Sequence, residues 1–252
     1  MACAEIKRGK YLYAIVPVSG EQRYGFTGID GAEVYTIANG RLAAVVSDVD
    51  NAKIRPERRY LAAQQTVLKG LIAATEAMLP MAFGIIADGP QAIKKILTRN
   101  HQAFLQQLQR VAGMVEMGLR VSWDVPNIFE YFVNTHEELR DARDRLLRPQ
   151  RQPSQEDKIE LGRLFDRLLN ADRETFTEKV EEILVPYCRE IKRNKCRHEG
   201  EVMNLACLVP REAPERFEEG VFEAAKLFDN NFAFDYNGPW APHNFVELDL
   251  EL

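Results

Sequence analysis

The sequence predicts an α+β protein of two domains: an N-terminal mixed α/β unit over residues 1–112 and a C-terminal ferredoxin-like, split βαβ unit over residues 113–252. Three observations carry that expectation. Short β-patterned runs alternate with amphipathic helical stripes along the whole chain. The pattern restarts after Gly113, which marks the boundary. From Met114 the elements read β-α-(inserted helices)-β-β-α-β, with the helical insertion at about 150–188. A chain of 252 residues, 46% hydrophobic and 28% charged, is long enough to bury two cores.

In the first unit, Tyr11 to Val16 is apolar on both faces, as in a strand covered from both sides. A weaker strand, Val34 to Ile37, is expected to pair with Leu42 to Val46 across the turn signal Asn39-Gly40. Gly25, Gly28 and Gly31 lack the order and the Lys-Ser or Lys-Thr of a phosphate loop, so the segment reads as a tight connection. Pro56 suits the first turn of a helix carrying Leu61, Gln64, Leu68, Leu71, Thr75 and Met78, which ends before Pro80. Met81 to Ile86 reads as a buried strand. Ile93, Leu97, Phe104, Leu108 and Val111 mark one further helix closed by Gly113.

In the second unit a strand runs through Val121-Ser122-Trp123, followed by a helix carrying Ile128, Phe132, Thr135, Leu139, Ala142 and Leu146. Pro149 to Pro153 interrupts the pattern. Helical periodicity then returns in two pieces, Ile159 to Leu169 and Phe176 to Tyr187. Strands at Ile191 to Arg197 and Met203 to Val209 join around Glu199-Gly200. A helix with Phe217, Val221, Ala224, Ala225 and Phe228 on one face leads to a last strand, Phe232 to Tyr236.

Composition narrows the function. Lys and Arg total 33 against 38 Asp and Glu, a formal net charge of -5, which leaves no basic excess to hold a nucleic acid. The longest apolar run, Leu79 to Ala87, contains Pro80 and Gly84 and falls short of the ~20 residues a spanning helix needs, so no lipid membrane is expected as a partner. The charged N-terminus does not read as a signal peptide, and four irregularly spaced cysteines suit a reducing cytoplasm.

Sites of reaction chemistry are weak in this sequence. Cys188, Cys196, His198 and Cys207 could surround zinc, but structural ligands come in pairs roughly two to four residues apart and only Cys196 and His198 approach that. Asp48 and Asp50 end a strand, where carboxylates can hold magnesium, yet nothing nearby offers phosphate contacts and solvated turn formers are the favoured reading. The four serines lie in no nucleophile elbow, and His101 and His136 read as isolated helix residues. No cofactor and no catalytic residue is assigned; a nucleotide- and magnesium-binding enzyme or ligand sensor is the alternative.

Two features suit a protein partner instead. Arg189, Lys192, Arg193, Lys195, Arg197 and His198 form a basic cluster that either docks an acidic surface or guards a strand edge. The tail, Gly238-Pro239-Trp240-Ala241-Pro242-His243-Asn244-Phe245, has a backbone preset by two prolines, so Trp240 and Phe245 either plug the fold or stand out as anchors. Trp240, Phe245, Arg193, Lys195 and Arg197 are the candidate partner-binding residues.

Nearly the whole chain resembles the gas vesicle F/L family. The resemblance rests on Tyr11-Leu12-Tyr13-Ala14-Ile15, Gly40-Arg41-Leu42-Ala43-Ala44-Val45-Val46-Ser47, Leu79-Pro80-Met81-Ala82-Phe83-Gly84, Gly118-Leu119-Arg120-Val121 and the tail from Gly238 to Phe245. It implies a non-enzymatic accessory or minor structural protein of gas vesicle assembly. The implied partners are the main apolar shell protein and other gas vesicle accessory proteins, at the gas vesicle or in the cytoplasm.

Overall fold

A computed structural model describes residues 8–18, 20–146 and 154–248. It divides into two compact units: residues up to Glu116 with Leu208–Glu212 and the segment from Gly238 onward, and Met117–Cys207 with Ala213–Asn237. The first stretch ends at Glu116, and the chain re-enters the first unit twice. Arg211 explains one return, donating to the carbonyls of Thr75 (2.6 Å) and Glu76 (3.1 Å). Burial of Ala241 and Phe245 in the tail explains the other.

The first unit is built on strands β1 (Arg8–Val16), β2 (Arg23–Thr27), β3 (Glu33–Asn39) and β4 (Leu42–Asp50), helix α1 (Arg58–Ala74), the two-residue strands β5 (Leu79–Pro80) and β6 (Ile86–Ala87), and helices α2 (Pro90–Arg99) and α3 (His101–Val111). The sheet order is β2-β3-β4-β1-β5, with β6 also pairing β1, and its described pairings are antiparallel. All six residues from Tyr11 to Val16 are buried, as the two-sided apolar run requires. Asn39 pairs with Leu42 across a turn in which Gly40 takes φ +67°, a conformation open to glycine at no steric cost.

Three expectations change here. The glycine-rich segment contains strand β2 rather than only a loop, and Gly28 serves a close approach: a Cβ there would lie 2.1 Å from the Tyr13 hydroxyl oxygen. The expected strand from Met81 to Ile86 is instead two short pairings around an irregular stretch. Pro80 lacks an N–H for the ladder, and Gly84 turns the chain at φ +87°. The single helix expected over 93–111 is two, broken at Asn100, whose side chain donates to the Ile96 carbonyl at 2.9 Å.

A buried polar web ties the first unit together. The Tyr11 hydroxyl donates to Gln64 Oε1 (2.6 Å) and accepts from Gly84 N (3.0 Å), while Gln64 Nε2 donates to the Met81 carbonyl (3.1 Å). Burial pushes the Tyr11 hydroxyl up to about 12. Gln64 therefore sits on the buried face of α1 because its amide is satisfied, and Leu61, counted on the same stripe, is 42% exposed.

The second unit carries β7 (Met114–Trp123), α4 (Ile128–Thr135), α5 (Glu137–Leu146), α6 (Gln155–Leu184), β8 (Glu190–Arg193), β9 (Glu201–Pro210), α7 (Pro214–Ala225) and β10 (Phe232–Trp240). The sheet order is β10-β7-β9-β8. The stripe from Ile128 to Leu146 is split at His136, whose ring stacks on Phe132 (4.9 Å, 2°) and faces Asp172 at 3.3 Å, so His136 lies between helices. The two helical pieces expected after Pro153 are one continuous helix, α6, opened by a reciprocal Ser154–Asp157 capping box. The interruption at Pro149 to Pro153 lies outside the described residues. Phe176, Phe228, Phe232 and Phe234 form an aromatic cluster between α6 and β10, edge-to-face in three of its ring contacts and tilted between Phe176 and Phe228.

Candidate functional site

The tail folds back on the first unit. Ala241 joins the core formed by Tyr11, Tyr13, Val67, Leu68 and Leu71, and Phe245 is 0% exposed. Trp240 is half-buried, with Lys69 Nζ 4.9 Å from its ring centroid. The latch is Glu116: its carboxylate accepts from Asn244 N (2.9 Å) and Asn244 Nδ2 (2.7 Å). Burial raises the pKa of Glu116, against the lowering effect of those two hydrogen bonds. Beside the tail, Pro80, Met81, Ala82, Ile85, His243, Val246 and Leu248 line a groove of about 320 Å³ in which polar and apolar surface are mixed. Of the two tail aromatics, Phe245 is therefore inside the fold and Trp240 is only partly covered.

The basic cluster is not uniform. Arg193 is consumed within the chain, gripping Glu181 through Nε (2.7 Å) and Nη2 (2.6 Å) and Glu174 through Nη1 (2.6 Å), which fastens β8 to α6. Lys195 and Arg197 have exposed side chains, and the Arg197 backbone N–H is held by the buried carboxylate of Glu201. Glu201 also meets Arg120 Nε at 3.0 Å, and Arg120 reaches Asp235 at 3.7 Å. Sequence spacing gave no hint of Glu116 or Glu201, because each acts on residues far along the chain or in a turn whose shape is not encoded in a local pattern.

Asp48 belongs to an ion pair: it is bound by Lys10, and the Tyr35 hydroxyl donates to it at 3.0 Å. Burial works against its charge, but the hydrogen bonds from Lys10 and Tyr35 outweigh that and hold its pKa below the usual carboxylate value. Asp50 lies opposite Arg8 in the β1–β4 ladder. Cys188 and Cys196 are half-buried free thiols and Cys207 is buried. Among the described residues no three His, Cys, Asp or Glu side chains are grouped so as to hold a metal ion, and no helix is long and apolar enough to cross a membrane.

Fold and surface define a mixed α/β protein with an antiparallel sheet, a latched aromatic tail and exposed charged faces. The family model described as "Gas vesicle synthesis protein GvpL/GvpF" matches residues 9–247. The chain belongs to that family of gas vesicle proteins, which is not a known enzyme family. It is 27% identical over 241 residues to gas vesicle protein F of Dolichospermum flosaquae, covering 95% of this chain and 98% of the relative. It is 24% identical to gas vesicle protein L1 of Halobacterium salinarum, covering 96% and 91%. The crystal structure of GvpF from Anabaena sp. PCC7120 shares the fold at a TM-score of 0.82 and 24% identity, covering 96% of this chain and 99% of that one. GvpF from Microcystis aeruginosa does so at 0.79 and 21%, covering 95% and 99%.

Proposed function

We propose that this protein is an accessory or minor structural component of gas vesicle assembly that binds the main apolar shell protein and acts without catalysis. The observation that carries the reading is the family match across residues 9–247, together with full-length relatives that are gas vesicle proteins F and L. An apolar shell subunit needs protection from aggregation until it is added to a wall, which a folded partner with apolar grooves can give. Other gas vesicle accessory proteins are further partners in this reading, and it puts the protein at the gas vesicle or in the cytoplasm. Nucleic acid and lipid membrane have no part in it.

The fold belongs to the same reading, as an N-terminal α+β domain and a C-terminal ferredoxin-like domain. Support comes from the chain order β7, helices, β8, β9, α7, β10 and the spatial order β10-β7-β9-β8. Within the candidate contacts, Lys195 and Arg197 are exposed and Trp240 is partly exposed to a partner; Phe245 and Arg193 hold the two units' own structures and contribute through them. Co-expression with the shell protein, followed by pull-down and vesicle fractionation, tests the function. Absence of this chain from both fractions would overturn it.

A further inference from the structure

The four-stranded sheet treats its two edges differently. β8 is four residues long, and Lys192, Arg193 and Lys195 lie in it or just past it, the devices that keep an edge from pairing. β10 is nine residues, Phe-Ala-Phe-Asp-Tyr-Asn-Gly-Pro-Trp, with no lysine or arginine and an aromatic at each of Phe232, Phe234 and Tyr236. Among the described residues its only neighbour in the sheet is β7. Among the described residues, no loop or helix backbone hydrogen-bonds to the backbone of residues 233–236. Among the described residues, one row of strand donors and acceptors therefore has no backbone partner.

An exposed aromatic side chain shares the face of α7 that reaches β10. The Tyr236 hydroxyl donates to Glu218 of α7, which sets this face of the helix over β10. Phe222 follows Glu218 by one helical turn on the same face and is 59% exposed, whereas Phe217, Gly220, Val221 and Ala224 are buried. A strand added next to β10 would put alternate side chains under Phe222 and cover it.

Charge selects the occupant. Glu215, Glu218 and Glu219 surround Phe222 on this face, while Lys226 is paired with Glu223. A second copy pairing β10 to β10 about a two-fold axis normal to the sheet would bring two such acidic helices together, which like-charge repulsion opposes. We infer that β10 and Phe222 form the docking edge for an extended segment of the shell protein, apolar at alternate positions and carrying Lys or Arg where it passes Glu215 and Glu219. This rests on the reading that the shell protein is the partner.

The test is co-expression of the full chain with the main shell protein, followed by pull-down and by amide hydrogen exchange on the captured complex. Phe222→Asp, at an exposed position, is expected to melt like the wild type and to capture about tenfold less shell protein. Glu215→Lys with Glu219→Lys should also lower capture, and amides in residues 233–236 should exchange more slowly in the wild-type complex. Equal capture by Phe222→Asp, or unchanged exchange in β10, would overturn the docking edge while leaving shell binding intact. No capture by the wild type would overturn both. A free chain that sediments as a dimer, and as a monomer after Phe222→Asp, would overturn the chosen occupant.

Discussion

Asn244 donates two hydrogen bonds, from its backbone and its side chain, to one carboxylate, that of Glu116, which lies 128 positions earlier in the chain. The pair closes the tail over the core of the first unit, where Phe245 is wholly buried. Truncation at either place tests whether the tail is structural. Phe245→Ala should cost about 3–5 kcal/mol, the usual loss for a buried phenylalanine, read as a shifted midpoint in a denaturant titration. Trp240→Ala, at a side chain already partly exposed, should cost clearly less. A Trp240→Ala chain that keeps its stability but no longer captures shell protein would make Trp240 an anchor in its own right.

Glu116 also gives a pH signature whose sign follows from its raised pKa. The folded chain holds this proton more tightly than the unfolded chain. Its contribution to stability is thus greatest below the ordinary carboxylate pKa and declines as pH rises towards the raised value. Glu116→Gln should flatten that slope and stay folded, since a Gln carbonyl can accept from Asn244 N while a flipped Asn244 amide accepts from the Gln amide. Glu116→Ala leaves two donors unmet and should cost about 1–3 kcal/mol. Urea titrations at several pH values distinguish the three chains.

The Lys10–Asp48–Tyr35 group works in the opposite direction. Asp48 has a lowered pKa, so its stabilisation is present above the ordinary carboxylate value and is lost as pH falls through the depressed one. Because Asp48 is partly exposed, solvent screening keeps the effect of Asp48→Asn to about 0–1 kcal/mol at neutral pH, and 1 M salt should shrink it further. A large loss in Asp48→Asn with no salt dependence would contradict an ion-pair role.

Gly28 tests the close packing of the first unit. Its φ is -97°, open to any residue, so the obstacle to a side chain is the Tyr13 hydroxyl oxygen 2.1 Å from the Cβ position. That hydroxyl is itself fixed by Ser47 Oγ (2.7 Å) and Ile29 N (2.8 Å). Gly28→Ala should cost about 1–3 kcal/mol through overpacking. Combined with Tyr13→Phe, which removes the nearer of the two colliding atoms and leaves Cζ at 2.9 Å, the double variant should lose less than the two single losses added together, a coupling that thermal melts of the four chains measure.

Which of these features were readable in advance depended on the range of the interaction. The Tyr11–Val16 strand and the Asn39-Gly40 turn follow from periodicity and backbone preference, both local. The break at Asn100 and the continuity of α6 depend on how a side chain competes for a backbone carbonyl and on a capping box, which a hydrophobic stripe does not report. Strand β2 was hidden because its sequence, Arg-Tyr-Gly-Phe-Thr, has a glycine at its centre, and its place comes from Phe26 packing over Gly70 of α1. Candidate contacts were hardest of all. Arg193 and Lys195 are two residues apart and chemically alike, yet only the geometry of Glu174 and Glu181 separates them.

That separation is testable. Arg193→Ala breaks a bidentate grip on Glu181 and a contact to Glu174, and should lower stability by about 1 kcal/mol, with a loosened β8 seen as faster amide exchange there. Lys195→Ala with Arg197→Ala removes exposed charge and should leave the melting temperature within a degree or two. If the basic edge contributes to capture of shell protein, the double variant weakens it and raised salt weakens the wild type in parallel. If capture is unchanged in both, the charges on this side only guard the edge of the sheet.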